Sequence, residues 1–74
     1  MTVEEAIRDE IARRTGARVQ LHEVEVTDGL IVIRGRAPSY YLKQLAIQAA
    51  LEVVGFARPI SVELEVPAAE GGRS

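Results

Sequence analysis

The residues of this chain best suited to chemistry are one histidine, four glutamates and a short basic segment that follows a glycine. His22 is the only histidine, and the chain has no cysteine. A metal centre needs several ligands at set spacings, and a nucleophile needs a base within hydrogen-bond reach. No such partner accompanies His22 in the sequence, so it reads as a surface or rim residue. The chain reads as non-enzymatic, with no metal and no cofactor expected. Glu23, Glu25, Glu63 and Glu65 lie in alternating segments that would place them on one sheet face, where they could loosely hold a hard cation. A solvated acidic face is the simpler reading. Gly35-Arg36-Ala37-Pro38 stands between a strand and a helix, where a phosphate could meet helix N-terminal amides. One glycine makes a thin cradle, and a net charge of −2 argues against a protein built on phosphate contacts, so no nucleic-acid partner is expected.

The elements that would position these residues are readable from pattern. Asp28-Gly29 between two apolar runs predicts a hairpin with a type I′ turn, which requires positive φ at both central residues. That loop sets the register: Thr27 opposite Leu30, Val26 opposite Ile31, Glu25 opposite Val32, Val24 opposite Ile33, and Glu23 opposite Arg34 as a cross-strand ion pair. Val19 and Leu21 are out of phase with Val24 and Val26. A bulge near His22 and Glu23 would reconcile them.

A first helix is announced by the capping-box spacing of Thr2 and Glu5, with Arg13 and Arg14 at its far end before Gly16. Val3, Ile7 and Ile11, widened by Ala6, form its apolar stripe; Glu4/Arg8, Asp9/Arg13 and Glu10/Arg14 are its expected outer pairs. A second helix runs from about Ser39, its N-cap candidate, to Val54, with Gly55 as its stop. Leu42, Leu45, Ala46, Ala49, Ala50 and Val53 form the core-facing stripe. Ile60, Val62, Leu64 and Val66 then alternate with Ser61, Glu63 and Glu65 in a third strand. The predicted fold is α+β, an α-β-β-α-β order with two helices on one face of a three-stranded sheet. The crossover sets the third strand parallel to the second, and a mixed sheet is the expected arrangement.

Residues 1–66 make one small domain, and residues 67–74, without apolar periodicity, read as a disordered tail or linker remnant. No run approaches the ~20 apolar residues of a membrane span, and the acidic start is unlike a signal peptide. As a whole protein the chain reads as soluble and cytoplasmic; as an excised domain its compartment is open, the envelope or periplasm included.

One feature exceeds what a sheet-covering helix needs. Tyr40, Ile47, Leu51 and Val54 lie roughly 120–180° from the core stripe at ~100° per residue. The first helix, lying alongside, would cover Ile47, Leu51 and Val54 with Val3, Ile7 and Ile11. Whatever it leaves bare is a candidate contact for a partner or a second copy, as are Leu30 and Val32 on the outer sheet face.

The run Asp28-Gly29-Leu30-Ile31-Val32-Ile33-Arg34-Gly35, then Ser39, Ala46 and Ala50, then Val53-Val54-Gly55-Phe56 and the alternating strand to Val66, resembles a BON domain (bacterial OsmY and nodulation domain). The resemblance spans about residues 3–66. Phe56 replaces the family's usual small aliphatic residue, one extra residue precedes Ile60, and Val62 stands where many members have Asn. The resemblance implies a non-catalytic module associated with phospholipid or envelope attachment. Tyr40, Tyr41, Lys43, Phe56, Arg34 and Arg36 would be its lipid contacts here, and convergence of Arg34, Arg36 and Lys43 near Gly35 would favour that use. The element order is also similar to the type II KH RNA-binding fold, but the Gly-x-x-Gly loop of that family is missing. The leading expectation is a protein-interaction or self-association module, with phospholipid binding the alternative.

Overall fold

The computed structural model describes residues 2–55 and 59–67. Expectations placed on Phe56 and on the tail beyond Pro67 lie outside them. Five elements follow in order: α1 (Val3–Thr15), β1 (Gln20–Val26), β2 (Ile31–Arg36), α2 (Tyr40–Val54) and β3 (Ile60–Glu65). The sheet runs β1-β2-β3, β1 antiparallel and β3 parallel to β2, so it is mixed as expected.

The start of α1 is fixed by the full capping box. Thr2 Oγ1 accepts from the Glu5 N–H, and Glu5 Oε1 accepts from the Thr2 N–H, both at 3.1 Å. Two of the four N-terminal amides that a helix cannot satisfy internally are often met in such ways. Gly16 closes the helix in the left-handed region at φ 65°. The buried stripe differs from the expected one by a turn: Ile7, Ile11 and Thr15 are buried, while Val3 is 41% exposed. Thr15 is accepted there because its hydroxyl donates to the Ile11 carbonyl at 2.7 Å. On the outer face Glu4 pairs with Arg8 and Glu10 with Arg14, but Arg13 turns to Glu10 at 2.5 Å rather than to Asp9. The hydrogen bond from Arg13 holds the Glu10 carboxyl below its usual range.

The hairpin register is the expected one, from Val26 opposite Ile31 to Glu23 opposite Arg34, with the irregularity between Leu21 and Glu23. Its turn is different. Neither Asp28 nor Gly29 has positive φ, so the type I′ expectation fails. Thr27 closes the loop: its N–H donates to the Leu30 carbonyl at 3.0 Å, and its hydroxyl accepts from the Leu30 N–H at 3.2 Å. A side-chain acceptor thus takes a bond that a two-residue loop otherwise makes with backbone, and the dihedral demand on Asp-Gly is lifted.

Ile7, Ile11, Ile31 and Ile33 are the largest fully buried side chains, each worth roughly 1.5–3 kcal/mol against exposure. Ala46, Ala49 and Ala50 on α2 are also fully buried, and their small size lets the helix settle onto its neighbours. Leu45, Val53 and Val54 complete that side, half-buried against the core. α1 packs on α2 and reaches β1, whereas α2 alone reaches β3.

Candidate functional site

The candidate site is the outer surface of α2 and the sheet surface beside its start. Ser39 caps α2, its Oγ accepting from the Leu42 N–H at 3.2 Å, and no acid lies in the first turn. That turn carries Tyr40 and Tyr41, exposed by 65% and 69%, with Lys43 half-buried beside them. Further along the helix Leu51 is 41% exposed and Ile47 half-buried, while Val54 packs against the core. The physical reason is the placement of α1. Arg14 in its last turn is bonded to Glu52 in the last turn of α2, and α1 covers one flank of the far side without closing over it. Helix-on-helix cover is therefore real but partial, with Leu51 open on α2 and Val3 open on α1.

At the loop end of the hairpin Leu30 is 38% exposed, and its neighbour Val32 is half-buried on the outer sheet face. The rest of that face is polar and mostly charged. The Arg34 guanidinium spans the sheet, donating to Glu23 Oε1 on β1 and to Glu63 Oε1 on β3, each at 2.9 Å. Those hydrogen bonds, the one to Glu63 first, raise its pKa further above the ordinary arginine value. The alternation that puts Glu23, Glu63 and Arg34 on one face thus joins all three strands through one cation. Among the described residues no three histidine, aspartate or glutamate side chains converge as a metal would require.

Two hollows flank Gly35. The first, about 440 Å³, is lined by His22, Arg34, Lys43, Glu63 and Glu65 among others, so its cations face carboxylates. The second, about 370 Å³, is lined by Arg18, Gln20, Arg36, Ala37, Pro38 and Pro67. Arg34, Arg36 and Lys43 therefore do not form one basic cluster at Gly35: Arg34 and Lys43 line one hollow and Arg36 the other.

No family model, no curated protein and no solved structure matches the chain. The geometry of these surfaces accordingly carries the functional reading.

Three contributors escaped the sequence pattern. Arg18 joins Arg36 in the second hollow because Gly16 and Ala17 both take left-handed φ and turn the chain back. Glu52 meets Arg14 across a separation that no helical spacing encodes. Thr27 closes the turn, and its position just before Asp28-Gly29 was the available signal for a side-chain closure.

Proposed function

We propose that this chain is a non-catalytic interaction module that self-associates or meets a protein partner through the outer face of α2. The observation that carries this reading is the exposure of Tyr40, Tyr41 and Leu51 along one helix, with Ile47 half-buried between them. Large apolar and aromatic side chains kept open on a rigid element are the ordinary material of contact surfaces. Leu30 and Val32 form a smaller candidate contact on the sheet side. The resemblance to BON domains points to a non-catalytic module as well.

Light scattering on a size-exclusion column, over about a tenfold range of concentration, tests the self-association arm, because mass action makes dimerisation concentration-dependent. The expected result is a mass that rises with concentration. Leu51→Glu is the matching variant: at 41% exposure in the single chain it should leave monomer stability within about 0.5 kcal/mol and abolish the rise. Unfolding of that variant by several kcal/mol would place Leu51 in the core and sink the reading.

The second reading is attachment to a phospholipid surface through Tyr40, Tyr41 and Lys43. Adjacent exposed tyrosines with a lysine nearby favour it, since aromatic bodies with polar tips suit the interfacial zone. Arg34 adds little, its charge being engaged by Glu23 and Glu63. Flotation with vesicles containing anionic lipid separates the two readings: a monomer that floats, and that ceases to float when both tyrosines are replaced by serine, favours lipid.

A further inference from the structure

The free edge of β3 makes a separate case from the face of α2. β3 lies at one side of the sheet. Its ladder to β2 opens with the Ile31 N–H donating to the Pro59 carbonyl at 3.1 Å and closes with the Ala37 N–H donating to the Glu65 carbonyl at 2.8 Å. Backbone groups alternate sides along a strand, so Ser61 and Glu63, in step with Pro59 and Glu65, also turn theirs toward β2. Those of Ile60, Val62 and Leu64 turn away from the sheet. No strand pairs with them among the described residues.

Natural edges are usually blunted by bulges, lysines or internal prolines. β1, the opposite edge, has its register break between Leu21 and Glu23. β3 has neither bulge, lysine nor internal proline, and its charges are the exposed Glu63 and Glu65: its register is unbroken from Ile60 to Glu65, and Pro59 and Pro67 stand outside it. Leu64 is buried in the core, but the other core-facing side chains are more open on this flank. Ile60, Val62 and Val66 are only half-buried, whereas Ile31 and Ile33 on the neighbouring strand are at 0% exposure. The cause is that α1 covers α2 and β1 and does not reach β3.

We infer that β3 takes up an extended protein segment as a fourth strand, and that the segment alternates apolar and basic residues. Main-chain bonds to Ile60, Val62 and Leu64 supply attachment, and side-chain alternation supplies selectivity. On the core side the added residues cover Ile60, Val62 and Val66. On the outer side they meet Glu63 and Glu65, both exposed; Glu63 is bonded to Arg34, and Glu65 has no ion pair among the described residues. That charge also disfavours a second copy of β3 as occupant, because a two-fold pairing brings Glu63 and Glu65 of both strands together on one face. This inference stands on a different surface from the α2 contact, and either can fail alone.

The test uses the full chain labelled with ¹⁵N and a short capped peptide alternating lysine and valine. The peptide should slow hydrogen exchange at the amides of Ile60, Val62 and Leu64, which no strand pairs among the described residues, and the same peptide with glutamate for lysine should not. Added salt should weaken the effect. Glu65→Lys, a change at an exposed side chain without an ion pair among the described residues, should lower affinity for the lysine peptide at least about tenfold, as like charges then meet. The inference is overturned if the three amides gain no protection at millimolar peptide, if acidic and basic peptides act alike, or if Glu65→Lys leaves the preference unchanged. Protection that rises with protein concentration alone would make the occupant a second copy and overturn it equally.

Discussion

The two ends of the β1–β2 hairpin each carry a glycine, and only one of them depends on it. At the loop, a Cβ built on Gly29 meets nothing within 4 Å, and its backbone is not in the left-handed region. At the other end, a Cβ on Gly35 would lie 2.1 Å from the Gln20 carbonyl oxygen and 3.0 Å from the Leu21 Cα. The bulge at Leu21 and Glu23 brings β1 backbone over β2 at that point, so Gly35 is required for space rather than for its dihedrals. The loop is closed instead by Thr27 and can dispense with what Asp-Gly ordinarily provides. The lesson is that a glycine's importance follows from what approaches it, which a dipeptide motif does not reveal.

The sharpest way to test that contrast is Gly35→Ala. The clash is with backbone, which cannot swing aside as a side chain would, so the substitution should cost about 3 kcal/mol. Urea denaturation of the variant measures this. A loss below about 1 kcal/mol would mean that β1 slides out of its bulged register at little cost, and the contrast between the two ends would collapse.

Thr27→Val probes the loop end. It removes the hydroxyl that accepts from the Leu30 N–H and donates to the Leu30 carbonyl at 2.8 Å, while keeping a shape that suits strands. At an exposed position water replaces part of what is lost, and the expected destabilisation is about 1 kcal/mol by thermal or urea unfolding. A neutral outcome would return the closure of the turn to Asp28-Gly29.

The same contrast separates what the sequence shows from what only the folded chain shows. Caps, the core stripe of α2, hairpin register and the bulge follow from spacing within a few residues, and each was legible: Thr2 with Glu5, Ser39, Gly55, and the phase break between Leu21 and Val24. The mixed sheet followed from crossover geometry. What escaped depends on approach between distant segments. Val3 was expected in the core stripe but lies open, because α1 meets α2 further along, at Ile7, Ile11 and Thr15. At the candidate site, helical angle singled out Tyr40 and Leu51, both exposed; the same angle could not distinguish Val54, which reaches the core.

Arg34→Met acts between the two ends, beside the bulge. It keeps the aliphatic stem and removes the guanidinium that joins Glu23 to Glu63. All three side chains are about half exposed, so solvent screens the network and the expected effect is a modest fall in melting temperature, smaller than for Thr27→Val. The loss should shrink as salt is raised. A fall that persists in high salt would mean that the Arg34 stem supports the bulge by packing rather than by charge.

Gly29→Ala should have the smallest effect, and its smallness is informative. A type I′ turn places φ above zero at this position, where alanine is strained by roughly 1 kcal/mol or more. In the turn that Thr27 closes, the added methyl meets open space and the backbone is compatible with alanine. The folded state then loses nothing, while the unfolded chain loses some of its freedom, so stability should stay level or rise by about 0.4–1 kcal/mol. The double variant with Thr27→Val decides which partner governs the loop. With the hydroxyl gone, the backbone N–H at position 27 still donates to the Leu30 carbonyl, but the Leu30 N–H regains a partner within the loop by adopting the primed turn, and alanine at position 29 would obstruct that recovery. The two changes should therefore cost more together than the sum of their separate effects. Simple additivity would show that the loop keeps one geometry in both backgrounds and that Thr27 stabilises it without selecting it.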